Sequence, residues 1–429
     1  MPNSAGPVAS DNLPQCLLDK IIMIKDIQQP EGWGIMYKSV DASVMRRFNK
    51  ETVLSLLYQQ EQTSRVAISD KTGLNRATVS SLVDELIAEQ FVEEIGFGTS
   101  KGGRKPILLQ FNAGAGYTIG VDVQITHATT VLSDARLAVV YEHRRQLDTR
   151  IPPIRSEQLL NVLKEEIESA MVACPPSPHG LLGIGVALPG LVNYVTGHVS
   201  FLPNLNITEW PVVEQLSRVY SQPIIIDNDA NSGAWAVYLR HRIKNLVFIN
   251  AGIGVGAGIV INGQVYRGRD GIAGEAGHTT ISTIGVLCSC GNYGCWEQYS
   301  SEQALARYLR EQGIDPLDEF SPLFVSHCVE QAQNGVDAYS NSLRSLGQSL
   351  GIGISNLLQI LNPEAIFLGG TIAQAGSIII PEIQRVIRHR AINKNKEMPI
   401  EIVAQPIVAV GAAGLALAQA INIFPVRDS

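Results

Sequence analysis

Apolar residues recur at helical spacing between residues 49 and 88, and this pattern predicts three successive helices. Asn49 is the predicted N-cap of the first helix. Thr63 or Ser64 caps a short second helix, which stops at Gly73 because glycine favours the backbone conformation that ends a helix. The third helix is the run RATVSSLVDELIAEQ, whose apolar residues share one face. A short helix, a glycine turn and a second helix make a helix-turn-helix.

Two strand-like runs, FVEEIGFG and KPILLQFN, follow the third helix and are joined by the cation-rich tip TSKGGR. They predict a β-hairpin wing. In a winged helix-turn-helix, the third helix enters the DNA major groove and cations on the wing contact phosphates or the minor groove. A helical module that binds protein instead is the alternative, because a fold does not fix a function. The predicted DNA-binding residues are Arg65, Arg76, Thr78, Ser80, Lys101, Arg104 and Lys105.

From Tyr117 onward, apolar β-rich runs alternate with amphipathic helical stretches, which predicts an α/β domain. Asp122 is expected at the turn between the first two strands of this domain. Glycines alternate with other residues in the run NAGIGVGAG, which begins at Asn250. Their bare backbone could lie against a phosphate or a sugar, but glycine also permits tight packing of strands, and the pattern alone does not separate these interpretations.

A chain of 429 residues is long enough for two or three domains. The predicted organisation is an extension over residues 1–36, a winged helix-turn-helix over 37–113 and a larger domain over 114–429. The extension contains four prolines and no amphipathic period, so we expect it to be disordered. Because the organised pattern begins just after Met36, that residue is an alternative start of the chain.

The composition is that of a packed globular protein, with 45% hydrophobic and 17% charged residues. No apolar stretch is long enough to span a bilayer, and a cytoplasmic location with no membrane partner is expected. The net charge of −7 argues against a chain that coats nucleic acid over its whole surface. The segment 38–110 has ten Lys or Arg against nine Asp or Glu, so it is slightly basic on an acidic chain. This asymmetry is compatible with a small DNA-binding module.

One histidine and three cysteines, His278, Cys288, Cys290 and Cys295, lie close together in the sequence. Thiolates and an imidazole are the ligands that tetrahedral Zn²⁺ prefers. Four protein ligands leave no open position for water, so the predicted zinc ion is structural rather than catalytic. Buried free thiols or a disulfide are the alternative, although three cysteines cannot all pair with one another.

Several motifs together resemble the ROK family of repressors, open reading frames and sugar kinases, and the resemblance covers essentially everything from Met36 onward. The combination of GEAGH with the cysteine motif is highly specific, whereas the glycines are not. The resemblance implies an α/β fold in which a winged helix-turn-helix precedes a two-lobed actin-like domain of the ribonuclease H-like, sugar kinase type. The matching motifs are DNDAN at 227–231, NAGIGVGAG at 250–258, GEAGH at 274–278, CSCGNYGCWE at 288–297 and LGG at 368–370.

The family pattern also implies roles for individual residues. It assigns His278 and the three cysteines to a structural zinc ion. One imidazole can serve both a metal and a sugar, provided that one nitrogen faces the metal and the other faces the sugar. Carboxylates and amides suit a polyol, because each can accept from or donate to vicinal hydroxyls. The residues that the pattern assigns to sugar hydroxyls are Asn204, Asn228, Asp229, Glu275, His278 and Glu297.

The resemblance also bears on catalysis. In the family's kinases, the residue that matches Asp229 is the general base for the attacking sugar hydroxyl. Those kinases carry a DxGGT-type phosphate turn after the first strand, but here the run is DVQIT, starting at Asp122. The side chains of Val, Gln and Ile would fill the space that a phosphate needs. Ile253 also stands where a hydroxyl residue is usual. We therefore expect no enzyme activity, with Asp229 a vestigial base.

Together, the two modules predict a sugar-responsive DNA-binding transcriptional repressor of a carbohydrate utilisation operon. The wing sequence SKGGRKP and the overall layout are most similar to the family's xylose repressors, which makes xylose the expected effector. The alternatives are a sugar kinase with a fused DNA-binding domain and a glucose-responsive repressor controlled by a phosphotransferase-system protein. The expected partners are double-stranded operator DNA, a small sugar and further copies of the chain, as a homodimer or a dimer of dimers.

Overall fold

The computed structural model divides the chain between Asn112 and Ala113 into two compact units. The predicted extension and the wing-tip residues Lys101 and Arg104 lie outside the described residues. In the part of the chain that the structure describes, no helix is long and apolar enough to cross a membrane. The described residues are 41–98, 105–147, 154–316 and 319–423.

The described part of the N-terminal unit contains three helices and a three-stranded sheet. The elements are α1 (Ala42–Gln59), β1 (Thr63–Ser64), α2 (Arg65–Thr72), α3 (Arg76–Ala88), β2 (Val92–Phe97) and β3 (Ile107–Phe111). Strand β3 lies at the centre of the sheet and pairs antiparallel with both β1 and β2, so β2 and β3 form the predicted wing. Apolar faces of the helices pack around β3, where the rings of Tyr58 and Phe111 meet edge to face at 5.1 Å.

The caps explain where these helices begin and end. The Ser64 side chain accepts a hydrogen bond from a backbone N–H of α2, and Gly73 ends that helix with a φ of 71°. Asn75 caps α3 in the same way as Ser64 caps α2. The prediction for α1 was wrong, because this helix begins seven residues earlier than Asn49 and is capped by Asp41. Residues 42–48 contain no helix breaker, so the helix continues back to Asp41, whose side chain accepts a hydrogen bond from the backbone N–H of Ser43.

The C-terminal unit is built around two five-stranded sheets. Their strands are β4 (Tyr117–Val123), β5 (His127–Asp134), β6 (Val139–Gln146), β7 (Leu181–Leu188), β11 (Ile224–Asn228), β12 (Leu246–Ala251), β13 (Val255–Ile261), β14 (Gln264–Val265), β15 (Ala365–Gly369) and β16 (Ile400–Ile402). The orders are β11-β7-β4-β5-β6 and β16-β15-β12-β13-β14. In each sheet the central strand, β4 or β12, pairs antiparallel with the following strand and parallel with a later one. The two sheets therefore share one strand pattern.

A small third sheet and nine α-helices also belong to the described part of this unit. Strands β8 (Leu191–Asn193), β9 (His198–Leu202) and β10 (Ile207–Trp210) form the small sheet, in the order β10-β9-β8. The helices are α4 (Ser156–Val172), α5 (Val212–Ser217), α6 (Asp229–His241), α7 (Glu297–Ser300), α8 (Glu302–Glu311), α9 (Phe324–Gln333), α10 (Asp337–Leu361), α11 (Gly376–Arg390) and α12 (Ile407–Ile421).

The buried aspartate at the end of β4 differs from its prediction. Asp122 does not lie at a turn, because it pairs with Thr129 in the ladder between β4 and β5 and is 2% exposed. The turn comes later, over residues 124–126. An acidic residue near the end of an apolar run resembles a turn signal, but a strand can extend through such a residue when the carboxylate finds polar partners inside the fold.

Helix α12 packs directly on the first large sheet because that sheet presents glycines to it. A Cβ on Gly185 would lie 1.9 Å from the carbonyl oxygen of Ala412, and a Cβ on Gly120 would lie 1.9 Å from that of Ala409. Real Cβ atoms do not approach so closely, so these strands can bear no side chain at the two positions. Glycine therefore sets the distance between the sheet and the helix.

We predict that Gly185→Ala lowers the free energy of unfolding by about 3 kcal/mol or more, because α12 must move away from the sheet. Gly313→Ala is the control. It has a φ of 79° and open space around its missing Cβ, so it should lose only about 1 kcal/mol from backbone strain. Denaturant unfolding of the two variants measures the difference. Equal losses would contradict the close packing of α12.

Candidate functional site

The two large sheets border a cleft, which we call the central cleft. It has a volume of about 140 Å³. One water needs about 10 to 15 Å³ in the same measure, so the cleft can hold roughly ten non-hydrogen atoms, the size of one monosaccharide. All six predicted sugar-binding residues line it: Asn204, Asn228, Asp229, Glu275, His278 and Glu297.

Asp229 is the first residue of α6, where the helix dipole favours a negative charge. Its Oδ1 accepts from the backbone N–H of Ala230 at 2.8 Å, and its Oδ2 accepts from Asn250 Nδ2 at 2.8 Å. Asn228 caps the same helix through its Oδ1 and donates its Nδ2 to the Gly190 carbonyl at 3.1 Å. The capping bonds fix the side chain of Asn228, so it holds the start of α6 in the cleft.

Gln124 connects two carboxylates in the cleft. Its Nε2 donates to Asp122 Oδ1 at 2.7 Å and to Asp229 Oδ2 at 3.3 Å. Burial raises the pKa of Asp122 to about 7, and the nearby charge of Asp229 adds to this shift although the hydrogen bond from Gln124 opposes it. Burial likewise raises the pKa of Asp229. Gln124 thus occupies the space beside Asp229 and satisfies two acids that have lost their water.

Glu275 and Glu297 form a second acidic group in the cleft. Glu297 Oε2 accepts from the backbone N–H of Val255 at 3.1 Å, which anchors the glycine-rich loop. A Cβ on Gly254 would lie 2.9 Å from the same oxygen, so this glycine leaves room for the carboxylate of Glu297. Burial raises the pKa of Glu275, and the charges of Asp229 and Glu297 add to the shift. The carboxylates are therefore close enough to affect one another.

A further carboxylate, that of Glu302, also lines the cleft. Thr371 donates its hydroxyl to Glu302 Oε1, and burial raises the pKa of Glu302 to about 7. Arg144 is the one Lys or Arg among the described residues that line the cleft. A site with five carboxylates and one such cation is suited to ligands that donate hydrogen bonds, and unsuited to polyphosphates.

The predicted metal ligands form a compact cluster. The ligand atoms of His278, Cys288, Cys290 and Cys295 all lie within 4.8 Å of one another. His278 Nδ1 is 3.6 Å from Cys288 Sγ, and Cys290 Sγ is 3.6 Å from Cys295 Sγ. Tetrahedral ligands about 2.3 Å from a zinc ion are about 3.8 Å apart, so the cluster could hold a metal ion of this kind.

His278 belongs to both the cluster and the cleft. Its Nδ1 faces Cys288 at 3.6 Å, whereas its Nε2 lies 3.8 Å from Glu275 Oε2 on the cleft side. The two ring nitrogens therefore point to different sites, as a residue with two roles requires. A metal on Nδ1 would leave Nε2–H free to donate into the cleft.

The described DNA-binding candidates fall into two groups. Arg76 at the start of α3 and Lys105 before β3 are exposed, and Thr78 and Ser80 lie on α3. In the part of the chain that the structure describes, Arg76 has no carboxylate within ion-pair distance. A free cation at the start of this helix is suited to a DNA contact.

Arg65 differs from the other candidates because its guanidinium is already paired. It contacts Asp84 at 2.7 Å and Glu94 at 2.8 Å, so it ties α2 to α3 and to the wing. The sequence could not reveal this role, since both partners are distant along the chain. These ion pairs give Arg65 a role in the internal structure of the module, and its contact with DNA stays a prediction.

Sequence reasoning also missed several residues of the cleft. Gln124 stood out only as a departure from a phosphate turn, although it contacts two acids. Asn250 had a weak signal, as the polar residue that ends the apolar run LVFIN. No sequence signal marked Arg144, Glu302 or Thr371, because nothing in their local sequence indicates a cleft.

Fold and site together define a protein with an actin-like two-sheet domain of the sugar kinase type, joined to a winged helix-turn-helix. The family model for the ROK family matches residues 118–419. The chain belongs to the ROK family. It is 34% identical over 367 residues to a protein named xylose repressor from Caldicellulosiruptor bescii, a match that covers 81% of this chain and 89% of that protein.

Two solved structures support the same assignment. A ROK family transcriptional regulator, a homologue of the E. coli MLC protein, matches 88% of this chain and 96% of its own with a TM-score of 0.74 and 27% identity. A ROK family glucokinase from Streptomyces griseus, solved with glucose and AMPPNP, matches 70% of this chain and 98% of its own with a TM-score of 0.61 and 26% identity. The kinase matches less of this chain than the regulator does.

We predict that Asp122 makes stability depend on pH. With its pKa raised from 3.8 to about 7, folded Asp122 keeps a proton that the unfolded chain releases between about pH 4 and pH 7. Stability therefore falls as the pH rises through this window, by up to about 1.4 kcal/mol per pH unit, and levels off above it. Asp122→Asn should remove this dependence. The free energy of unfolding of the variant should therefore rise relative to that of the wild type as the pH increases to 7.

Denaturant unfolding of both proteins at pH 5, 6, 7 and 8 measures the difference. Asp315→Asn is the control, because the Asp315 side chain is 94% exposed. A difference between Asp122→Asn and wild type that stays constant over this range would contradict the burial of an ionisable carboxyl at this position.

Proposed function

We propose that this protein is a sugar-responsive transcriptional repressor that binds operator DNA through its N-terminal unit and xylose through the central cleft. The proposal rests on one observation. The chain combines a helix-turn-helix with a kinase-like cleft, and in that cleft Gln124 fills the space beside Asp229. The name of the C. bescii relative, xylose repressor, supports both the regulatory role and the sugar. A repressor of this kind acts in the cytoplasm, where its operator lies.

The cleft supports binding without phosphoryl transfer. Asp229 keeps the position of a general base, but a base alone cannot hold a nucleotide. Gln124 replaces an open backbone turn, and Glu302 lies beside Gly252, where a phosphate would meet a carboxylate. The N–H of Glu302 donates to the Gly252 carbonyl at 2.9 Å, which fixes this residue against the glycine-rich loop. We infer that the chain has no kinase activity.

The sugar would be held by hydrogen bonds to the carboxylates of Asp229, Glu275 and Glu297. Each can accept from a hydroxyl, and the burial that raises the pKa of Asp229 and of Glu275 also strengthens such bonds. Asn204 and Nε2 of His278 would add a further amide and a donor. A ligand without these hydroxyls would leave buried acids unpaired, so the cleft would discriminate against it.

The cysteine cluster would hold one structural zinc ion, with His278, Cys288, Cys290 and Cys295 as its four ligands. The donor types and their spacing fit this ion. The bound ion would fix the loop that carries His278 and so the orientation of the imidazole toward the cleft. The residues that contact DNA would be Arg76, Thr78, Ser80 and Lys105, together with Lys101 and Arg104 of the wing.

Sugar binding would control repression through a coupling between the central cleft and the DNA-binding unit. A sugar that binds one conformation of the domain more tightly shifts the population toward it, and that conformation would no longer present the DNA-binding units of an oligomer at the spacing of the operator. A dimer on a two-fold symmetric operator is the simplest arrangement. A tenfold response needs a difference of only about 1.4 kcal/mol in sugar affinity between the two conformations.

The test is a titration of the purified protein on its own upstream DNA with xylose, glucose or N-acetylglucosamine. We expect xylose to release the DNA and ATP turnover to be absent. Asp229→Asn should leave operator binding intact but raise the xylose concentration for half-release at least tenfold, because the change affects only the cleft.

Arg76→Ala is the complementary variant. It should weaken operator binding by about 1 to 3 kcal/mol while xylose binding, measured by calorimetry, stays unchanged. Sugar-dependent ADP production by the wild type would overturn the repressor proposal in favour of a kinase. Release by a phosphotransferase-system protein, with no response to any sugar, would favour a glucose-responsive repressor instead.

A second prediction concerns the metal. Freshly purified, reduced protein should contain about one zinc ion per chain, and Cys290→Ser should lower both the zinc content and the free energy of unfolding. Cys174→Ser is the control, because Cys174 is half-buried and far from the cluster in sequence. Elemental analysis gives the zinc content. Its absence from the wild-type protein would refute the assignment.

A further inference from the structure

A buried ion pair joins the two large sheets outside the central cleft. Arg267, two residues after β14, donates from Nε and Nη2 to Asp227 Oδ2 at 2.9 and 2.6 Å. Asp227 lies on β11 of the other sheet. The two side chains are 3% and 2% exposed, so the pair is almost entirely removed from water. A pair at this depth must be well satisfied to persist.

Further contacts fix the pair. Asp227 Oδ1 accepts from the N–H of Asn228 at 2.8 Å and from Asn231 Nδ2 at 3.1 Å. The guanidinium of Arg267 lies over the ring of Tyr194, 4.2 Å from its centroid, and donates from Nη1 to the Val265 carbonyl at 3.3 Å. Both charged groups thus have partners beyond each other, which holds them in one geometry.

Arg267 stands where three segments with candidate sugar ligands meet. Asp227 directly precedes Asn228 and Asp229, and Tyr194 follows β8, in the segment that leads through β9 toward Asn204. Arg267 itself begins the loop that leads to Glu275, and its carbonyl accepts from the N–H of Ala273 at 3.0 Å. Arg267 does not line the cleft. Any effect on the ligand must therefore pass through these segments.

We infer that Arg267 is a positioning residue that holds the three ligand-bearing segments in register and thereby sets the affinity of the cleft for its sugar. This inference rests on the proposed function. A lysine cannot replace the arginine fully, because a single ammonium cannot make both contacts with Asp227 while lying flat on Tyr194. Arg267→Lys keeps the charge, so the carboxylate of Asp227 is not left unpaired.

The experiment compares Arg267→Lys with Arg269→Lys. Arg269 lies on the same loop, but its side chain is 92% exposed and pairs with Asp270 at the surface. Calorimetry measures xylose affinity, a shift assay measures operator affinity without sugar, and thermal unfolding checks that each variant is folded. We expect Arg267→Lys to weaken xylose binding about tenfold and to leave operator affinity within about twofold of the wild type. Arg269→Lys should match the wild type in both.

A paired variant keeps the test decisive if Arg267→Lys is poorly folded. Asp227→Asn with Arg267→Gln removes both charges and retains hydrogen-bonding groups, and it should show the same selective loss of xylose affinity. Wild-type xylose affinity in either folded variant would overturn the inference, as would equal losses of xylose and operator affinity. If the wild type binds no sugar, the proposed function fails and this inference fails with it.

Discussion

The removal of several carboxylates from water in one cleft is the constraint on which the rest of this structure depends. Burial raises the pKa of Asp122 and of Glu302 to about 7. Such groups persist only with hydrogen-bond donors nearby, and the fold supplies these donors as amides, backbone N–H groups and a hydroxyl. A hydroxyl-rich ligand provides the same kind of donor, so the polarity of the cleft and its choice of ligand have one physical origin.

Much of the fold and part of the site could be predicted from the sequence, because their signals are local. Ser64 caps α2 and Gly73 ends it, both beside an apolar period, and the metal cluster has four ligands within one short segment. The remainder depends on side chains that meet only after folding. The contacts of Gln124 and Asn250 with Asp229 join residues 105 and 21 positions apart.

The two wrong predictions in the fold have the same cause. Asn49 and Asp122 are polar residues beside apolar runs, and such residues usually mark the end of an element. Here α1 continues back past the first to its cap at Asp41, and β4 continues through the second, whose carboxylate finds a polar partner inside the fold. The same limit applies to Arg65, whose ion pairs with Asp84 and Glu94 have no signature in its own segment.

The matching strand orders of the two large sheets give the central cleft two equivalent edges. Asp122 and Asn250 are the penultimate residues of the equivalent strands β4 and β12, and the loop that follows each strand lines the cleft that contains Asp229. The two loops differ, since one carries Gln124 and the other Gly252. Each sheet therefore supplies one wall of the ligand site, and a substitution in one loop can alter that wall while the opposite wall and both sheets stay intact.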